Sequence, residues 1–240
     1  MKSLKKNLDN VRKRLLEKDQ DFVLVVDGRE GVGKSSLALH IATYFDPKFN
    51  VDKICFNISD FKKQLFKSKR GGCILIDEGA LLAMSRNAMT SDNREFMKIM
   101  TICRKFNQLI IICIPNINII DSYIRNHRVA ALVRVTKLAR YAIYSKKKLN
   151  SVRKHPHSSK LIYPRPNIRE SFPKFNGELW PKYLKKKDLQ IYDQNRDWIS
   201  LNKYAKKINQ DPRTVKKRIE DGALEARHDE DTGRYYLPIN

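Results

Sequence analysis

Residues 22–35 read Phe-Val-Leu-Val-Val-Asp-Gly-Arg-Glu-Gly-Val-Gly-Lys-Ser, a short β-branched run that feeds directly into a glycine-rich turn. Gly28, Gly33, Lys34 and Ser35 satisfy G-x-x-x-x-G-K-[ST], with a further glycine at Gly31. The chemistry requires that spacing. Small residues let successive backbone N–H groups turn inward around a phosphate, and the helix-like run Ser36 to Tyr44 aims the positive end of its dipole at the same point. The cradle runs through Gly28, Arg29, Glu30, Gly31, Val32 and Gly33, with Lys34, Ser35 and Ser36 opening the helix. Lys34 can reach the β- and γ-phosphates and the Ser35 hydroxyl can ligate Mg²⁺, so the cofactors predicted are ATP and Mg²⁺.

A second site completes the first. Gly71-Gly72 break the chain, and Cys73 to Ile76 form an apolar strand that ends in Asp77-Glu78. In an open parallel sheet nucleotides lie at the carboxyl ends of the strands, so both acids can face Lys34. Asp77 is the predicted holder of the metal shell, and Glu78 the group that polarises the attacking water. An Asp-Glu pair alone is most often a solvated turn; the loop upstream is what gives it meaning.

Composition bounds the rest. The 240 residues, 41% of them hydrophobic, suffice for one full core and a small satellite domain. Forty-nine basic against 26 acidic residues leave a formal charge of +23, which points to a polyanion: nucleic acid first, an anionic membrane surface second. Cys55, Cys73, Cys103 and Cys113 show no C-x-x-C spacing and read as buried residues of a reducing compartment; the five histidines form no metal signature. The basic N-terminus has no apolar core resembling a signal peptide. The most apolar stretch, Leu109 to Ile120, is interrupted by Pro115, Asn116 and Asn118 well short of a membrane span. The reading is a soluble, cytoplasmic protein.

The pattern predicts an α/β fold, a P-loop nucleoside-triphosphatase domain with a mostly parallel sheet, followed by a small C-terminal winged helix-turn-helix. Residues 1–20 form a basic helix with Leu4, Leu8, Val11 and Leu15 on one face, either packed on the domain edge or serving as an arm. Residues 21–145 are the ATPase domain. Strands and helices alternate there: a strand at Lys53 to Asn57, a helix from Ser59 to Ser68 capped by Ser59, the Asp77 strand, and a helix over 92–106. Leu109 to Ile114 is a buried strand, Asp121 to Arg128 a short helix, Val129 to Val135 a strand and Arg140 to Ser145 an edge strand. Residues 146–195 read as a basic, aromatic and proline-rich arm or linker, whose prolines exclude long helices. Such an arm is a solvated tether or a surface for phosphate contact and base stacking.

Residues 196–240 differ again. Trp198 to Ile208 makes a first helix capped at Ser200, Asn209 to Pro212 a turn, and Arg213 to Asp221 a second helix with Asp211 as its cap and Pro212 in the first helical position. Gly222 ends it, and Ala226 to Leu237 reads as a hairpin turning at Asp231-Thr232-Gly233. This stretch resembles the small DNA-binding domain of excisionases and MerR-type regulators. That reading gives DNA contact to Arg213, Thr214, Lys216 and Lys217 on the second helix, with Arg227 and Arg234 on the wing. Peptide binding or dimerisation is the alternative.

Residues 96–135 add a resemblance for the ATPase. Phe96-Met-Lys-Ile-Met-Thr-Ile-Cys-Arg-Lys-Phe-Asn-Gln108 leads into Leu-Ile-Ile-Ile-Cys-Ile-Pro-Asn-Ile-Asn-Ile-Ile-Asp121, then Tyr-Ile-Arg-Asn-His-Arg128 and an apolar strand. The stretch resembles FtsK/HerA-class DNA-pumping ATPases, including the zonula-occludens-toxin-like proteins of phages and mobile elements. The resemblance implies a polar sensor at the end of the buried strand. Pro115-Asn116 occupies that slot, where the family commonly carries Gln, and Asn116 takes the role. It also implies a homo-oligomeric ring, usually a hexamer, in which a neighbour's arginine meets the γ-phosphate. Arg125 and Arg128 are the candidates, with Arg128 favoured because it abuts the next strand. The function predicted is a DNA-stimulated ATP hydrolase that translocates DNA; a non-translocating ATPase switch that controls DNA binding competes with it. Small-molecule phosphotransfer leaves the charge unexplained.

Overall fold

The β-branched run at the start of the chain's decisive stretch becomes β1 (Phe22–Asp27), the centre of a seven-stranded sheet ordered β2-β3-β4-β1-β5-β6-β9. The structure, a computed structural model, describes residues 1–77, 91–154, 161–195, 198–229 and 233–238. The chain divides after Tyr183 into two units.

In the first unit β2 (Ile54–Cys55), β3 (Cys73–Ile76), β4 (Leu109–Ile114), β1 and β5 (Val129–Lys137) run parallel. All six residues of β4 are buried, as the uninterrupted apolar run requires of a strand covered on both faces. Strand β4 stands between β1 and β3, so the strand ending beside Asp77 is not the neighbour of the strand ending in the loop. Residues Asp27, Ile76 and Ile114 nevertheless finish near one level, because the registers pair Asp27 with Ile114 and Ile76 with Ile112. Strand β6 (Arg140–Ser145) pairs antiparallel with β5, and β9 (Ile168–Ser171) antiparallel with β6. β6 is therefore covered and is not the edge. Strands β7 (Arg153–Lys154) and β8 (Leu161–Ile162) pair separately.

Helix α1 (Lys2–Glu17) buries Leu4, Leu8, Val11 and Leu15 against one face of the sheet, together with α2 (Lys34–Phe45). The predicted face is the buried face, which settles the helix as a packed element. Arg12 ties it to the end of α2 through the carbonyls of Tyr44 and Phe45. On the other face α3 (Ile58–Lys67) and α4 (Ser91–Ile102) bury Phe61, Leu65, Phe96 and Met100. The cap of α3 is Asn57, whose side chain accepts from the Asp60 N–H at 2.7 Å, two residues earlier than Ser59. All four cysteines are buried.

The stretch read as an arm is largely part of this core. β9 extends the sheet, and Phe172, Phe175 and Tyr183 are buried. A helix α6 (Leu179–Asn195) follows the four-residue α5 (Lys146–Leu149), despite the density of prolines. Pro181 lies in its first turn, where a missing N–H costs nothing. Aromatic residues spaced among lysines were available for stacking on bases; here three of them fill the core instead.

In the second unit β10 (Trp198–Ser200), β12 (Arg234–Pro238) and β11 (Arg227–Asp229) form a three-stranded antiparallel sheet. Trp198 to Ser200 is thus a strand, and the first helix is shorter than its pattern suggested: α7 (Leu201–Lys207). Helix α8 (Pro212–Glu220) starts as read, with the Asp211 side chain accepting from the Arg213 N–H at 2.7 Å. Ala205, Val215 and Leu237 make the core, with Leu201, Tyr204, Ile208 and Ile219 packed on it. Asp231 and Thr232 of the hairpin turn lie outside the described residues.

Candidate active site

The loop after β1 takes its shape from its glycines. Gly28, Gly31 and Gly33 have φ of 148°, 73° and 97°, a region where a side chain is strained. Gly28 has a second reason to lack a side chain: a Cβ there would stand 2.6 Å from the Val135 carbonyl oxygen of β5. Its N–H donates to the Pro115 carbonyl at 3.3 Å, which ties the loop to the end of β4. Arg29 and Glu30 are exposed at the outer turn of the loop. Lys34, buried at the first turn of α2, donates through Nζ to the Arg29 carbonyl at 3.0 Å and so lies across the loop.

Ser35 and Asp77 meet. The Ser35 hydroxyl donates to Asp77 Oδ2 at 3.3 Å, and Asp77 is almost fully buried at the end of β3. Together with the loop amides and Lys34, this gives two hard oxygen donors beside a phosphate cradle. Among the described residues no group of three or more His, Cys, Asp or Glu gathers elsewhere to hold a metal. A site with one carboxylate and one hydroxyl fits Mg²⁺, which keeps several waters and takes further oxygens from phosphate. Glu78 lies outside the described residues.

Asn116 stands directly after β4, next to the loop. Its side-chain oxygen accepts from the Asn118 N–H at 2.9 Å and caps the turn Ile117–Ile119, so the amide nitrogen is the end suited to sensing a phosphate. Beneath the loop, on the face opposite α2, Asp27 is fully buried. It accepts from Arg134 at 2.9 Å, from Tyr163 at 3.0 Å and from the Ile117 N–H at 3.3 Å. Burial raises its carboxyl to about 6 against the opposing pull of Arg134. Among the described residues its Oδ1 has no hydrogen-bond partner. The cluster fixes β1, β4 and β5 to one another at the edge that carries the loop.

Arg128 is not at that edge. It precedes Val129, which pairs with Val23 at the start of β1, so it sits at the amino edge of the parallel strands. Its guanidinium is paired with Asp21 and also donates to the Cys103 sulfur at 3.2 Å. Burial pushes the Cys103 thiol up to about 12, with the Asp21 charge adding to it. The expectation of a γ-phosphate arginine at the carboxyl edge is corrected for this residue. The chain from 115 to 128 crosses from one edge to the other before β5 begins. Arg125, part-way along, donates to the Asn118 side chain at 2.7 Å.

Two contributors to the site were not singled out in the sequence. Tyr183 donates to Asp77 Oδ2 at 2.6 Å, and Phe175 donates its N–H to the Ser36 hydroxyl at 2.7 Å. Both sit in the aromatic, lysine-rich stretch. The only signal available was the hydrophobicity of that stretch, and its charge concealed it.

Fold and loop define a P-loop α/β protein of the nucleoside-triphosphatase kind. The family model of zonular occludens toxin (Zot) matches residues 50–168, which take in Asp77 and Asn116 and begin after the phosphate loop. Two solved structures of Thermotoga maritima RuvB mutants are also similar to it. One is 18% identical with a TM-score of 0.33, and the match covers 51% of this chain and 41% of that one. The other is 15% identical with a TM-score of 0.36, covering 98% and 91%. A comparison with curated protein sequences gives no match. No described helix is long and apolar enough to cross a membrane.

In the second unit Arg213, Thr214, Lys216 and Lys217 are all exposed on α8, while Val215 between them is buried. Arg227 and Arg234 are exposed on the hairpin, and Arg227 lies 5.6 Å over the Trp198 ring.

Proposed function

We propose that this chain is an ATP hydrolase that acts on DNA, working as an oligomeric, ring-forming translocase of a mobile element. The observation that carries the reading is the meeting of Ser35 and Asp77 at the end of the sheet where the loop opens, with Lys34 laid across that loop. Lys34 neutralises the β- and γ-phosphates, and the loop amides orient them. Ser35 and Asp77 would hold Mg²⁺, which would offset negative charge on the bound phosphates. Glu78 polarises the attacking water, and Asn116 reads the γ-phosphate.

The formal charge of +23 supports a DNA partner. The exposed face of α8, with Arg213, Thr214, Lys216 and Lys217, suits a major groove, and Arg227 and Arg234 suit the backbone beside it. An arginine of a neighbouring subunit would complete the site, and Arg128 is committed to Asp21 instead. ATP turnover measured with and without DNA, coupled to mass determination in solution, tests this. A translocase shows DNA-stimulated turnover and a multi-subunit ring. Slow, DNA-indifferent turnover by a dimer overturns it in favour of a nucleotide-controlled switch.

A further inference from the structure

After β9 the chain turns back over the loop and the start of α2, and four contacts fix it there. The Phe172 ring lies 3.5 Å from where a Cβ on Gly33 would be, and the Pro173 carbonyl is 3.0 Å from His40 Nε2. The Phe175 N–H donates to Ser36 at 2.7 Å, and the Tyr183 hydroxyl donates to Asp77 at 2.6 Å. Tyr183 is 2% exposed, with Phe56 at 6.1 Å and Trp180 at 5.3 Å between ring centres.

That arrangement does more than fill space. A phenylalanine would occupy the same aromatic cluster, and a buried hydroxyl without a partner is costly. Here the hydroxyl ends on the oxygen of Asp77 that Ser35 also addresses. Two donors on Oδ2 fix the rotation of the carboxylate.

We propose that Tyr183 is a positioning residue of the metal site, holding Asp77 in the orientation that receives the Mg²⁺ shell. The proposal rests on the reading of Ser35 and Asp77 as the metal-holding pair. Hydrogen bonds one step behind the ligands orient them, and losing such a bond typically costs about 10–100-fold in metal affinity.

The test uses Tyr183→Phe, which removes the hydroxyl and keeps the ring. Binding of a fluorescent ATP analogue to the full chain is followed as Mg²⁺ is added, and again in EDTA. The Mg²⁺ concentration for half-maximal response rises about 10-fold or more in Tyr183→Phe, while affinity in EDTA stays unchanged. Phe56→Leu, which disturbs the same cluster and leaves the hydroxyl, keeps the wild-type Mg²⁺ response. An unshifted response in Tyr183→Phe, or an equal shift in Phe56→Leu, overturns the positioning role. Asp77→Asn separates the two levels. If it too leaves the Mg²⁺ response unmoved, the metal role of Asp77 is what fails. If it shifts the response and Tyr183→Phe does not, only the tyrosine's role fails.

Discussion

At the carboxyl edge of the central sheet, the ends of β1, β3 and β4 bring Asp27, Asp77 and Asn116 around a loop with three left-handed glycines. At the amino edge, one strand length away and roughly 20 Å at about 3.3 Å per residue, the starts of β1 and β5 bring Asp21 and Arg128 into a partly buried ion pair. Both edges collect charge, but in different conditions. The first gathers its charges around a glycine-rich loop at the mouth of the sheet; the second closes a carboxylate, a guanidinium and a thiol on one another. One edge is arranged for a phosphate and the other is a clasp that needs no ligand.

That contrast predicts separable effects. The largest tests the proposed catalysis: Glu78→Gln lowers ATP turnover by about 10²–10⁴-fold, as expected for loss of a general base, and leaves ATP binding intact. Steady-state turnover beside equilibrium binding checks it, and wild-type turnover in the variant removes Glu78 from the mechanism. At the amino edge, Arg128→Ala leaves Asp21 without its cationic partner and costs on the order of 3 kcal/mol of stability. The folded fraction binds nucleotide as the wild type does. Denaturant unfolding and nucleotide titration read the two separately, and weakened nucleotide binding at full stability would erase the distinction between the edges.

The smallest effect is a slope. Asp27 has a folded value of about 6 against an ordinary 3.8, so between those values the folded chain keeps a proton that the unfolded chain releases. The stability this contributes is fully present below about pH 4 and lost as pH rises to about 6. Asp27→Asn cannot titrate. Relative to wild type its stability therefore improves between pH 4 and 6.5 by on the order of 2–3 kcal/mol, read from urea midpoints at the two pH values. Parallel curves for the two proteins would sink the assignment.

Much of this was legible in residue order. The loop, the strand before it and the helix after it follow from local spacing, and the burial of β4 from its unbroken apolar run. Leu4, Leu8, Val11 and Leu15 gave α1 its buried face. What local spacing cannot show is where a crossing segment ends. Arg128 follows β4 by only a few turns of chain, yet a parallel strand must begin at the opposite edge, so the residue just before β5 is carried away from the site. Tyr183 and Phe175 were hidden for the opposite reason. They are more than a hundred residues from Asp77 and Ser36, and their lysine-rich surroundings suggest solvent. Only the tertiary return of the chain brings them to the loop.

The measurement that bears most directly on the account is calorimetric titration of Mg²⁺-ATP into the wild type and Lys34→Ala, with the unfolding midpoint of each recorded alongside. The wild type binds one nucleotide per chain. Lys34→Ala loses at least about 100-fold in affinity, roughly 2.7 kcal/mol, with its unfolding midpoint little changed. Equal affinity in the two proteins would contradict a phosphate site at the carboxyl edge.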